Sequence, residues 1–280
     1  MGERALVLGG GGLVGIAWET GVLAALADRG ADVAGADYLL GTSAGATVAA
    51  QLSSGLPVTE LFGRQTVPAR QNHELTPDAA RVAEFMETWE KLMAEPGDPA
   101  ELRKQVGAMA LSAVTVPGEQ RRAVIAGRLP EHSWPERKLA VVAVDAHSGQ
   151  TRLFDKDSGV DLVDAVAASC AVPGIWPPVS IGGARYIDGG MRSAVNADLA
   201  AGYQRVLILA PMVDPELEEQ VTRLAEAAQV EIISPDEEST AAFGLNPLDP
   251  EVRAPAARAG YAQGQRAAEA VTSLWQLPGL

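Results

Sequence analysis

The stretch DYLLGTSAG, Asp37 to Gly45, sets the architecture. A short apolar run leads into G-x-S-x-G, and the small-residue segment AGATVAAQLSSG (44–55) follows with the composition of a helix. Strand, sharp turn, helix is the setting in which a serine stands at the tip of a strand. Its neighbours two residues away must be small enough for strand and helix to approach each other. The helix N-terminus then faces Ser43 and favours negative charge. Ser43 is therefore a candidate nucleophile, weighed against a glycine turn carrying an incidental serine.

Upstream, ALVL (5–8) reads as a buried strand running into Gly9 to Gly12, with Gly15 three residues later. In IAWETGVLAALADRG (16–30), Val22, Leu23, Leu26 and Ala27 share one helical face, and Gly30 is a stop. In a doubly wound sheet, ligands bind beyond the carboxyl ends of strands, and both glycine corners lie there. Gly10-x-Gly12-x-x-Gly15 also matches a dinucleotide fingerprint, a weak match by itself. That reading wants an acid ending a second strand about 20 residues on; Asp32 follows a helix stop and Asp37 begins a strand.

Downstream, residues 56–135 turn more charged. TPDAARVAEFMETWEKLMAEPG (76–97) has Thr76 as a cap, Pro77 after it, and Val82, Phe85, Met86, Trp89 and Met93 at helical spacing. Segments 99–114 and 118–129 read as two more helices. We read 56–135 as a helical insertion into one α/β domain spanning 1–280, with the insertion a candidate lid. Strands return at 138–146 and 151–154, joined by a hairpin turn at 147–149. Helix 161–172, strand 185–188, the apolar strand 205–211, helix 214–229, strand 230–234 and a last helix over about 250–275 complete the alternation. The pattern predicts an α/β chain: three α/β/α layers around a mostly parallel central sheet.

The 280 residues carry a formal charge of −14 and are 47% hydrophobic. Such acidity argues against nucleic acid as a partner, where Lys and Arg contacts to phosphate supply most non-specific affinity. It also disfavours broad docking on anionic lipid. The single cysteine, Cys170, allows no intramolecular disulfide. No metal-ligand spacing links it to His73, His132 and His147, and neither a metal nor an organic cofactor is expected. No signal-peptide pattern and no long apolar run occur, so a cytoplasmic location is expected. Oligomeric state is not legible.

A serine nucleophile needs a proton acceptor. His73, His132 and His147 read as solvated loop residues. Asp188 ends an apolar strand and precedes Gly189-Gly190. It competes with an ordinary Asp-Gly turn. A free aspartate is a poor base at neutral pH, with a pKa of ~3.9; burial would raise it.

Four blocks taken together resemble a known family. They are Gly9-Gly10-Gly11-Gly12-Leu13-x-Gly15, Gly41-Thr42-Ser43-Ala44-Gly45, Ala168-Ser169-Cys170-Ala171-Val172-Pro173 with Trp176-Pro177-Pro178, and Asp188-Gly189-Gly190. In this order they resemble the patatin-like phospholipases, lipid acyl hydrolases with a Ser–Asp dyad. The resemblance implies Ser43 as nucleophile, Asp188 as base, and backbone amides of Gly10, Gly11 and Gly12 as an oxyanion hole. It implies a lipid or small acyl-ester substrate and transient contact with a membrane surface. Trp176 departs from the family's usual residue there and would reshape an acyl pocket. Phe85, Met86, Trp89, Met93, Met109 and Leu111 are candidates to line an acyl groove, weighed against a role as insertion core. Two other readings stay open: a dinucleotide-binding module, and a non-catalytic lipid-binding protein on the same fold.

Overall fold

The computed structural model describes residues 3–94 and 97–276, and within helices the side chains of Ala79, Met86, Glu90, Met93 and Ala94 lie outside the described set. Its strands are β1 (Arg4–Leu8), β2 (Tyr38–Thr42), β3 (Lys138–Asp145), β4 (Thr151–Phe154), β5 (Val179–Ile181), β6 (Ala184–Asp188), β7 (Arg205–Leu209) and β8 (Gln229–Ile233). They form one sheet in the order β5-β6-β3-β2-β1-β7-β8, with β4 also paired to β3. β1, β2, β3, β7 and β8 are parallel. β4 and β6 run antiparallel to β3, and β5 antiparallel to β6.

Side chains alternate across the sheet, as the strand period of two requires. Leu6, Leu8, Leu39, Val141 and Leu207 face one layer, Ala5, Val7, Leu40, Val142 and Ile208 the other. Both faces are covered, which is why the central strands read as unbroken apolar runs. The helices are α1 (Gly12–Asp28), α2 (Ala44–Leu52), α3 (Val58–Thr66), α4 (Ala79–Ala94), α5 (Pro99–Ser112), α6 (Gly118–Arg128), α7 (Leu162–Ser169), α8 (Pro215–Ala225), α9 (Glu237–Phe243) and α10 (Arg253–Gln276). α1, α2, α7 and α10 pack on the first face; α8 and the segment around residues 195–200 pack on the second. The three-layer α/β/α expectation is met.

α1 differs from the one-faced helix expected. Leu13 to Leu26 are all buried and Ala27 is exposed. A helix apolar all round belongs in the middle of the packing. α10 approaches it closely: a Cβ on Gly260 would sit 2.3 Å from the Trp18 carbonyl oxygen, and one on Gly21 2.1 Å from that of Ala257. The buried Trp18 indole N–H lies 3.1 Å from both Ser239 Oγ and Gln263 Oε1, tying α1 to α9 and α10.

α4 starts at Ala79 rather than Thr76. Asp78 supplies the cap, its carboxylate accepting from Ala80 N–H at 2.8 Å. The stretch read as helical runs on to Gly97, which is not helical; Glu95 and Pro96 lie outside the described residues. Val82, Phe85 and Trp89 pack with Ile175 and Trp176, so the insertion covers the carboxyl end of the sheet. No helix among the described residues is long and apolar enough to cross a membrane.

One topological detail places the site. Val141 and Val142 pair with both β2 and β4, so those strands lie on opposite edges of β3. Ala143 and Val144 pair with both β4 and β6, so β6 shares the β2 edge. β6 runs against β2. Thr42 faces Val142 and Asp188 faces the next residue, Ala143. The two strands meet end to end.

Candidate active site

Ser43 follows β2 at φ 53 and ψ −110. This left-handed conformation is uncommon for a residue with a side chain and costs roughly 1–3 kcal/mol. The surrounding packing enforces it. A Cβ on Gly41 would lie 2.5 Å from Ala46 Cα, and one on Gly45 2.0 Å from the Leu8 carbonyl oxygen. The G-x-S-x-G spacing is thus a requirement of close backbone approach. Ser43 N–H donates to Ser169 Oγ at 2.8 Å, and the Cys170 thiol donates to the Ser43 carbonyl at 3.2 Å. The end of α7 therefore holds the elbow in place.

The Ser43 hydroxyl donates to Asp188 Oδ2 at 2.7 Å, across 145 residues of chain. The other Asp188 oxygen accepts from Gly190 N–H at 2.7 Å. Gly189 is pressed against β3, where a Cβ would sit 2.3 Å from the Val142 carbonyl oxygen. Asn196 braces the arrangement: its Nδ2 lies 3.1 Å from Thr42 Oγ1 and 2.7 Å from the Ser193 carbonyl. Asp188 is 3% exposed. Burial pushes its pKa up to about 6, against the opposing pull of the Ser43 and Gly190 hydrogen bonds and of Arg121. A base poised there suits proton transfer near neutral pH.

The glycine corner divides in two. Gly10 N–H donates to the Ala194 carbonyl at 2.7 Å, so its amide is engaged. Gly10 instead lies beside the serine, where a Cβ would come 3.7 Å from Ser43 Cβ. Gly11 and Gly12 N–H groups have no acceptor among the described residues. Gly12 lines the same cavity as Ser43.

That cavity, bounded also by Arg121, Cys170, Trp176 and Leu248, is about 20 Å³, room for one water molecule. The site is closed. Of the apolar insertion residues, Phe85, Trp89 and Met109 pack over Trp176, and Leu111 joins the neighbouring cluster. Met86 and Met93 fall outside the described side chains.

His73, His132 and His147 are exposed, and none of them lines the cavity. The dinucleotide reading loses its ligand position. The Pro247 carbonyl accepts from Leu13 and Val14 N–H at 2.8 and 3.2 Å, occupying the α1 N-terminus where a pyrophosphate would sit. Asp37 precedes β2, at the opposite end of the strand from the corner. Sequence reasoning passed over Arg121, Ser169, Asn196 and Leu248 as site residues. Two left a signal: Ser169 lies in the Ala168-Ser169-Cys170 block, and Arg121 falls with Val124, Ile125 and Arg128 on the buried face of α6, at helical spacing.

Fold and site together define an α/β/α chain with a serine elbow facing a buried carboxylate. The patatin-like phospholipase family model matches residues 6–201, and the chain belongs to that family. Among solved structures, VipD from Legionella pneumophila is similar in fold, with 16% identity and a TM-score of 0.52 over 96% of this chain and 67% of that one. The ExoU–SpcU complex of the type III secretion system of Pseudomonas aeruginosa aligns at 15% identity and a TM-score of 0.42, over 97% of this chain and 52% of that one. This chain thus spans from about half to two thirds of those proteins. No curated protein matches it.

Proposed function

We propose that this chain is a lipid acyl hydrolase that cleaves carboxylic esters through Ser43 and Asp188. The 2.7 Å contact between Ser43 Oγ and Asp188 Oδ2 carries the reading. Asp188 takes the hydroxyl proton as Oγ attacks the ester carbonyl. Gly11 and Gly12 amides face the negative oxygen of the tetrahedral intermediate, with the α2 N-terminus behind the serine. Each such donor is typically worth about 3 kcal/mol in the transition state. Asp188 returns the proton to the departing alcohol, leaving acyl-Ser43. Water, deprotonated by Asp188, then hydrolyses the acyl-enzyme. Gly10, whose own amide donates to the Ala194 carbonyl, lies beside the serine without contributing a donor.

With about 20 Å³ at the serine, an acyl chain enters only when the cover moves. The insertion 56–135 is the lid in this proposal, and a lipid or small acyl ester met at a membrane surface is the substrate.

The test is fluorophosphonate labelling and p-nitrophenyl ester hydrolysis. Ser43→Ala loses labelling. Asp188→Asn loses about 10²- to 10⁴-fold in kcat, the usual worth of a general base. Persistent labelling of Ser43→Ala overturns the nucleophile assignment. Full turnover by Asp188→Asn removes the dyad. Lipid binding without turnover in the unmodified protein returns the non-catalytic reading.

A further inference from the structure

α6 turns Arg121, Val124, Ile125 and Arg128 inward, and both arginines are buried, 5% and 6% exposed. Their surroundings differ. Arg128 is neutralised by Glu74, with Nε to Oε1 at 3.0 Å and Nη2 to Oε2 at 2.7 Å. Arg121 has no ion pair among the described residues, and its Nε and Nη1 are buried without a hydrogen-bond partner. Among the described residues it stacks on the Trp176 ring, 4.0 Å from the guanidinium carbon to the ring centroid. Stacking covers the flat face of a guanidinium and leaves its N–H edge bare. Burial and the nearby Arg128 push its pKa down to about 9, so it is still a cation at neutral pH. A buried, unpaired cation is expensive, and this one stands in the wall of the cavity that holds Ser43.

We propose that Arg121 is a specificity-determining residue that pairs with an oxyanion carried by the substrate beside the scissile ester. The inference rests on the hydrolase reading above and extends it to substrate choice. The planar fork suits the paired oxygens of a phosphodiester or a carboxylate. Trp176 fixes the plane of the guanidinium, and the bare N–H edge is completed only when such a substrate is bound. A second role is open to Arg121, that of lowering the pKa of Asp188 through space. That role would affect every ester alike.

The experiment compares kcat/KM for three monomeric substrates with equal acyl chains. These are dihexanoyl-phosphatidylcholine, neutral dihexanoylglycerol, and the hexanoyl ester of lactate, which carries a carboxylate. In Arg121→Gln the ratio of phosphatidylcholine to diglyceride turnover should fall about 10- to 100-fold, the range of a charge-assisted hydrogen bond. Arg121→Lys should recover part of that ratio, and serves as the comparison where the Gln variant fails to fold. An equal fall on the lactate ester shows that any oxyanion is read, and its absence assigns phosphate; both support the inference. Equal losses on all three substrates, or an unchanged ratio, overturn it while the hydrolase reading stands. A wild-type protein that turns over none of them overturns both.

Discussion

At position 188 the catalytic role proposed above and stability pull in opposite directions. The Asp188 carboxyl is raised from the ordinary aspartate range to about 6 by burial. Only the ionised form accepts the Ser43 proton, so kcat/KM should fall about tenfold per pH unit below 6 and level off above 7. A pH profile centred near 4 would place the working base elsewhere. The same shift costs stability. A raised folded-state pKa favours the fold below the unfolded pKa, and that benefit is lost as pH rises through 6. At pH 8 the rise to about 6 amounts to about 3 kcal/mol. Asp188→Asn, inactive as base, should therefore melt higher than wild type at pH 8, with the gap closing by pH 4. Differential scanning calorimetry at the two pH values checks this. What the sequence disclosed at this scale was local. Gly41, Gly45 and Gly189 are read from local motif spacing, although only the Gly41 collision, with Ala46, is local; Gly45 and Gly189 are pressed against Leu8 and Val142 on other strands. Arg121 shares a helical face with Val124, Ile125 and Arg128, but its lack of a counter-ion, which sets it apart from Arg128, is not legible in the sequence.

Among the elements, α4 and α6 matter most, since they close the site. Phe85, 8% exposed, packs against Ile175 and Trp176. Phe85→Ala should cost about 3–5 kcal/mol, as aromatic truncations in a core do. With the insertion held less firmly, fluorophosphonate labelling of Ser43 should speed up several-fold at temperatures where the sheet stays folded. Unchanged labelling with a lowered Tm would separate the insertion from access to the serine. Most elements were legible because their periodicity is strong: β1, β2, β7, α2 and α8 differ from expectation by a few residues. β5, α3 and α9 were not anticipated. β5 has three residues and α9 seven, too short for periodicity to stand out from turn composition, and α3 carries only Leu61 as a buried apolar residue. α1 begins four residues earlier than read because Gly11 and Gly12 look like turn residues until Pro247 is seen capping the helix.

Across the whole molecule, charge would govern the approach to a lipid surface that the proposed function requires. A net −14 repels anionic bilayers over about a Debye length. In vesicle sedimentation the protein should bind phosphatidylcholine better than phosphatidylglycerol, with the difference shrinking as salt rises from 0.05 to about 0.5 M. Stronger binding to phosphatidylglycerol at low salt would reveal a local cationic face that overrides the total. This outer repulsion and the inner cation at Arg121 act at different ranges, one on the surface approached and one on the molecule extracted from it. The meeting of β2 and β6 could not be foreseen from the chain: the fold class follows from alternation, but nothing local says that two strands end against each other.

That meeting makes β3 a measuring rod for the chemistry. The hydroxyl and the carboxylate belong to segments that are strangers in sequence, and Thr42, just before the serine, and Asp188 sit one residue apart along a strand carrying neither. Slippage of β6 by a single residue would turn Asp188 to the opposite face of the sheet and silence the protein while nearly all of its packing survived. Loss of turnover should then come before melting under mild denaturant, an early sign of register failure in a molecule that otherwise looks intact.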